Sequence, residues 1–159
     1  LPVVAAIVPI YVVVNYLGAL DNIWTLVVLY TAMNLPIAVW MMRSFFLEVP
    51  KELLEAASMD GASLWRSLRE VVLPIISPGM AATALICFIF SWNEFPVVLV
   101  LSQRQTATVP LGIGKYAQEN TIAFTEMAAA STLSILPAFL LLLFAQRFIV
   151  RGLTSGAVK

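Results

Sequence analysis

Four stretches of the chain run without a charged side chain: residues 1–20, 22–42, 71–93 and 127–146. Each matches the roughly 20 apolar residues that cross the hydrocarbon core of a bilayer as a helix. Together they occupy more than half of the chain. The pattern predicts an all-α polytopic membrane helix bundle, one transmembrane domain over 1–159, with spans at about 1–20, 23–42, 78–101 and 127–147. The third span is trimmed at its start. Ser77-Pro78 reads as an N-cap followed by proline in the first helical turn, where no N–H is needed. That helix is expected to carry Glu94 inside it, with residues 71–77 as an entry segment at the membrane surface. The first run opens Leu1-Pro2, with no initiating Met and no charged leader region. The expectation is a fragment cut in or just before a helix.

Basic residues orient such spans. Arg43, Lys51, Arg66 and Arg69 lie in the 43–70 segment, and Arg147, Arg151 and Lys159 in the tail, against Arg104 and Lys115 in the 103–126 segment. This predicts the 43–70 segment and the tail in the cytoplasm and the 103–126 loop outside. Composition agrees: 61% of residues are hydrophobic and 11% charged, against roughly 25% charged in soluble domains. Mean hydropathy is +0.94. A formal net charge of zero excludes the basic surface that a nucleic-acid binder needs. The single Cys87 offers no disulfide framework. The absence of histidine removes Ser-His-Asp and Cys-His catalysis and His-type zinc sites. No phosphate-binding Gly-x4-Gly-Lys-Ser/Thr loop, metal-ligand cluster or paired acid–base carboxylates occur either.

Pro9, Pro36 and Pro137 fall inside predicted spans. They read either as hinges or as prolines of the kind membrane helices tolerate. Ala128 with Thr132, Ala130 with Ser134, and Gly79 with Thr83 form small-xxx-small pairs that let helices approach closely. They predict that the third and fourth spans pack on protein.

The 48–74 loop has helical order. Pro50 starts a helix, Glu52 suits its first turn, Leu53, Leu54 and Ala57 form an apolar stripe, and Asp60-Gly61 ends it. Ser63 caps a second short helix with Leu64, Trp65, Leu68, Val71 and Val72 on one side. A short amphipathic helix is marginal alone. Periodicity leaves two docking sites open, the headgroups with the chain's own helix ends, or a groove on a soluble partner.

Within this loop stands Glu55-Ala56-Ala57, three residues, Gly61, nine residues, Val71, one residue, Leu73-Pro74. The spacing resembles the signature of binding-protein-dependent ABC transporter permeases, with Val71 where that signature has isoleucine. Pro9-Ile10-Tyr11, Leu17-Gly18, Asp21, Met59 to Ala62, Ser91-Trp92-Asn93-Glu94-Phe95 and the closing Arg151 to Lys159 resemble the carbohydrate-importer branch, above all the smaller permease subunit of maltose-type systems. The resemblance covers nearly the whole chain and implies a type I importer permease, of whose roughly six spans these would be the last four.

It further implies that the loop is a coupling helix seated in a cytoplasmic ATPase. Glu55 would pair with a basic group there, and Ala56 and Ala57 would permit close approach. Leu53, Leu54 and Met59 would fill the groove, and Asp60-Gly61 would form the turn. ATP and Mg would be bound by that partner and no cofactor by this chain. A second permease subunit, an extracytoplasmic solute-binding protein and the lipid bilayer of the cytoplasmic membrane complete the expected surroundings, with no nucleic acid. The expected cargo is a sugar, with glycerol phosphate or a polyol as alternatives.

For the polar pair Asn93 and Glu94, two readings stand side by side. One is hydrogen bonding to a sugar on the translocation path, with Trp92 or Phe95 as a stacking face. The other is an interfacial cap with Trp92 in the aromatic belt. Asn15 and Asn34 read as interhelix hydrogen-bonding residues. The outer loop, with Pro110, Gly112, Gly114 and Tyr116, reads as a contact for the solute-binding protein or as a plain re-entrant connection. Two other classes are weaker: a membrane-embedded enzyme lacks its histidine and acid–base pair, and a membrane scaffold leaves the loop motif unexplained.

Overall fold

A computed structural model describes residues 3–103, 105–116 and 124–156. The described chain is helical and without strands: α1 Val3–Tyr16, α2 Ile23–Leu47, α3 Lys51–Met59, α4 Leu64–Trp92, α5 Pro96–Leu101, α6 Val109–Lys115 and α7 Phe124–Gly156. Three segments are long and apolar enough to cross a membrane, namely α2 with 25 residues, α4 with 29, and Phe124–Gln146 of α7 with 23. The first predicted span is represented by α1, whose 14 described residues reach about 21 Å at 1.5 Å per residue. It stops at Tyr16 because the following turn contains two residues of positive φ, Gly18 at 62° and Asp21 at 54°.

The third span differs from the expected 78–101. It begins at Leu64 and ends at Trp92, so both prolines lie inside it and Glu94 lies beyond it. Two local adjustments absorb the prolines. A π-turn over Leu68–Val72 passes the Leu73 N–H to the Leu68 carbonyl, lengthening the ladder just before Pro74. Pro78 has no N–H for the Pro74 carbonyl, and the Ser77 hydroxyl donates to that carbonyl instead, at 2.9 Å. Neighbouring hydroxyls and local π-turns are the known means by which apolar helices keep a proline. Ser77 is therefore a mid-helix donor, not an N-cap. At the other end Pro96 disfavours a helical residue before it, and Phe95 sits at φ −126°. The expected second short helix of the loop is thus the opening of α4 itself.

The chain divides into two groups of packed residues, Leu1–Asn34 with Phe88–Phe139, and Leu35–Cys87 with Leu140–Lys159. In the first, Val14 of α1 and Leu26 of α2 bury against Val97, Val98 and Leu101 of α5 and Leu111 of α6. Val97 and Val98 are the most deeply buried large side chains described. The turn after α1 is tied to the segment after α5: the Asp21 N–H donates to the Leu101 carbonyl at 2.9 Å, and the Asp21 carboxylate accepts from the N–H groups of Gln103, Gln105 and Thr106. The turn after α1 and the described residues just after α5 therefore lie side by side. The α7 pair Ala130 and Ser134 is half-buried, and the Ser134 carbonyl accepts from Trp92 Nε1 at 3.3 Å. Ala128 and Thr132 are exposed instead.

In the second group, Val49, Val72 and Ile76 form the core, with Met42, Phe45, Leu68 and Leu73 around them. Gly79 and Thr83 are buried, as the small-residue pattern of α4 predicts. The reason for glycine is steric: a Cβ at Gly79 would fall within the ring of Phe45 on α2. Gly79→Val should therefore destabilise the protein by about 1–3 kcal/mol, the usual cost of overpacking. The thermal midpoint of detergent-solubilised protein measures this, and Phe45→Ala in the same chain should restore part of the loss. An unchanged midpoint in the single variant would show that Phe45 turns aside at no cost.

Candidate functional site

Two places concentrate polar or unpaired side chains, one in each group. The first is α3 and the turn that follows it. Pro50, at φ −60°, precedes the helix, and Glu52 lies in its first turn, where a negative charge complements the helix dipole. The other end is closed by a complete Schellman motif. The Ala62 N–H donates to the Ala57 carbonyl at 2.9 Å, and the Gly61 N–H to the Ser58 carbonyl at 3.0 Å. The motif needs a left-handed residue just past the helix, and Gly61 supplies it at φ 75°. Ser63 then caps α4, its hydroxyl accepting from the Arg66 N–H at 3.4 Å.

The backbone of α3 is thus satisfied at its C-terminal end by its own sequence, yet none of its residues is buried. Leu53, Leu54, Glu55, Ala56 and Asp60 are exposed, Ala57 is half-buried, and Met59 is 89% exposed. Leu64 and Trp65, at 90% and 69%, extend this apolar surface across the turn. They were expected to share the buried stripe of Leu68 and Val72. Leu64 does continue that stripe, but one turn beyond the packed region, where nothing among the described residues covers it. A cleft of about 160 Å³ lies beneath the turn, lined by Ala57, Asp60, Ala62, Arg66 and Glu70 among others. Arg66 Nε meets Glu70 Oε2 at 2.9 Å. Both groups are well exposed, so the pair orients Arg66 more than it stabilises the fold.

The second place is a cavity of about 240 Å³ lined by Tyr30, Met33, Asn34, Phe90, Ser91 and Glu94. Glu94 is 8% exposed. Its Oε1 accepts from the Val97 N–H at 2.8 Å, and its Oε2 from the Val98 N–H at 3.3 Å and the Tyr30 hydroxyl at 2.9 Å. The carboxylate therefore caps α5, whose first N–H groups have no partner within so short a helix. Asn34 Nδ2 donates to the Tyr30 carbonyl at 2.8 Å and to Ser91 Oγ at 3.1 Å, joining α2 to α4. The hydrogen-bonding capacity left over is one of acceptors and hydroxyls: Asn34 Oδ1, a second lone pair on Glu94 Oε1, and the oxygens of Tyr30 and Ser91. Phe90, 55% exposed, adds a flat apolar face. Acceptors and hydroxyls of this kind can exchange hydrogen bonds with hydroxyl-bearing groups.

Of the contiguous residues Trp92, Asn93, Glu94 and Phe95, only Glu94 reaches the cavity. Trp92 stacks on Phe88 with ring centres 5.4 Å apart. Asn93 is exposed, and its Nδ2 donates back to the Ile89 carbonyl at 2.8 Å. Phe95 joins the core around Val97 and Val98. The helix ends at Trp92, and the non-helical turn through Asn93 to Phe95 sends these side chains in different directions. Tyr30 and the Asn34–Ser91 pairing were missed at the level of sequence, because these partners lie about 60 positions apart in the chain.

Comparisons with known proteins agree on one family. The profile described as binding-protein-dependent transport system inner membrane component matches residues 1–155. A probable ABC transporter permease protein of Sinorhizobium fredii is 37% identical over 159 residues, 100% of this chain and 57% of that protein. A diacetylchitobiose uptake system permease protein of Streptomyces coelicolor is 36% identical over 96% of this chain and 56% of its own length. A trehalose/maltose transport system permease protein of Thermococcus litoralis is 37% identical over 92% and 53%. The chain thus spans little more than half the length of these three relatives.

The capping geometry sets an order of stabilities. Glu94→Ala leaves two buried N–H groups and the Tyr30 hydroxyl without their acceptor and should cost about 1–3 kcal/mol. Tyr30→Phe keeps the cap and should cost less, about 1 kcal/mol. Thermal midpoints of the two purified variants check the order. Equal midpoints would show that the Tyr30 bond, not the cap, is what Glu94 contributes.

Proposed function

The chain belongs to the family of binding-protein-dependent transport system inner membrane components, and from that premise we propose that it is the permease subunit of an ATP-driven importer. It moves a sugar or a related solute across the cytoplasmic membrane by alternating access, together with a second permease subunit. An extracytoplasmic binding protein delivers the solute. A cytoplasmic ATPase subunit holds ATP and Mg and does the hydrolysis. Relatives whose names specify trehalose/maltose and diacetylchitobiose support the carbohydrate reading.

The observation that carries the proposal is α3. A nine-residue helix with its own C-terminal stop, burying none of its residues, is built to meet another surface. In this reading Leu53, Leu54 and Met59 enter a groove of the ATPase and Glu55 meets a basic group there. Ala56 and Ala57 allow the approach, and the Asp60-Gly61 turn passes the motion directly into α4, which begins three residues after Gly61. For the solute path, the cavity of Tyr30, Asn34, Phe90, Ser91 and Glu94 replaces the contiguous 92–95 stretch. Its acceptors suit sugar hydroxyls, and polar groups among apolar helices face a pathway or protein in preference to lipid tails.

Two variants test the coupling role in the assembled complex. Glu55→Lys reverses the charge offered to the ATPase. Gly61→Pro is incompatible with φ 75° and breaks the turn. Both should insert into the membrane normally, lose transport and retain less ATPase on purification. Unchanged transport in both would overturn the coupling role. On the solute side, Asn93→Ala should leave uptake kinetics as they are, whereas Ser91→Ala should raise the KM for the transported sugar several-fold.

A further inference from the structure

A single carboxylate closes one end of the first packed group. Asp21, in the turn between α1 and α2, adopts φ 54°, a left-handed conformation that non-glycine residues seldom take up. Such strain persists only where the surroundings hold it in place, and here they do. Asp21 Oδ1 accepts from the Gln103 N–H at 3.1 Å, the Thr106 N–H at 2.9 Å and the Thr106 hydroxyl at 2.8 Å, and Oδ2 from the Gln105 N–H at 2.8 Å. Convergent backbone N–H groups make a seat for an anion, and this seat is filled by a residue more than 80 positions away in the sequence. The turn that presents Asp21 is itself fixed. Asn22 Oδ1 accepts from the Trp24 N–H at 2.9 Å, and the Thr25 hydroxyl donates to the Ala19 carbonyl at 2.7 Å.

The seat begins two residues after α5. That helix has six residues and could not stand by itself. Glu94 holds its N-terminal end. At its C-terminal end the Leu101 carbonyl accepts from the Asp21 N–H, and the chain beyond it is wrapped on the Asp21 side chain. One carboxylate at each end therefore locks α5 onto α1 and the start of α2.

We propose that Asp21 is a latch that makes α1, the start of α2, α5 and residues Gln103, Gln105 and Thr106 move as one body when the permease opens and closes. The proposal rests on the transport reading above. With the latch released, α5 is free to shift without the helices around it, and ATP turnover no longer forces solute through.

The test uses the complete transporter in lipid nanodiscs. Asn tolerates the left-handed conformation, so Asp21→Asn removes the charge and replaces one acceptor oxygen by a donor while the turn can keep its shape. Asp21→Glu keeps the charge but displaces it by one methylene. Hydrogen–deuterium exchange reads the latch directly: the amides of Gln103, Gln105 and Thr106 should exchange at least tenfold faster in Asp21→Asn, and by a smaller factor in Asp21→Glu, with α4 unchanged. Solute moved per ATP hydrolysed, measured with the sugar that the wild-type complex imports, should fall at least threefold in Asp21→Asn. Unchanged exchange at the three amides would overturn the latch. So would loss of protection throughout α4, which would mark Asp21 as a general stability residue. Faster local exchange with an unchanged solute-to-ATP ratio would overturn its role in transport. A wild-type complex that hydrolyses ATP but imports none of a panel of sugars would overturn the transport reading itself, leaving the exchange data to judge the latch alone.

Discussion

A backbone in hydrocarbon has no water to bond with, so every interruption of a helix must bring its own partners. The chain interrupts its helices repeatedly, and several of these breaks are answered by a specific group. The carbonyl left idle by Pro78 receives the Ser77 hydroxyl. The start of α5 receives the Glu94 carboxylate, and the segment after it the Asp21 carboxylate. The end of α3, outside the apolar stretches, is closed by backbone alone through a glycine. The apolar chain thus spends its scarce charges as helix terminators, and the charged residues fall where the architecture changes direction.

The same economy separates what the chain satisfies from what it leaves open. Breaks in the backbone are closed, but faces are not. The α7 side chains Leu133, Ile135 and Phe139 are exposed, as are Val27, Val28 and Trp40 of α2. Lipid covers such faces at no cost. The apolar residues around α3 are different in kind, because the loop that carries them has charged residues at Lys51, Glu52, Glu55, Arg66 and Arg69. Leu64 and Trp65 also sit on the extension of α4 that precedes its apolar stretch. A helix of 29 residues reaches about 43 Å at 1.5 Å per residue, beyond a hydrocarbon core of about 30 Å. Apolar side chains on that overhang gain from burial only against protein.

Much of this was legible in the residues. Charge-free runs marked the long helices, Gly61 and Ser63 marked the turn between α3 and α4, and the spacing from Glu55 to Pro74 marked the family. The bounds of the third span were not, because two prolines and a serine also spell a helix start. Only the π-turn and the Ser77–Pro74 bond, which depend on three-dimensional geometry, show the prolines to be internal. The cavity was half legible. Glu94 stands out as a buried acid in an apolar region, but its partners come from a helix 60 residues earlier in the chain, and Tyr30 reads there as one more aromatic residue. Asp21 was visible only as a charge between two spans. Nothing in the sequence says that a loop more than 80 residues later folds around it.

Glu94 shows why a buried carboxylate need not choose between structure and solute. Two of its hydrogen bonds go to backbone N–H groups of α5 and one to Tyr30, which fixes both oxygens. A group fixed in this way does not swing to meet a ligand, and it lines the cavity in an orientation already set by its hydrogen bonds. The price is that its variants are ambiguous, since any change that weakens the solute contact also loosens α5. Ser91 caps no helix: it lines the same space, and its hydroxyl accepts from Asn34 Nδ2. Effects on solute affinity that appear at Ser91 without a change in stability therefore belong to the solute, and those that appear only at Glu94 belong to the helix it holds.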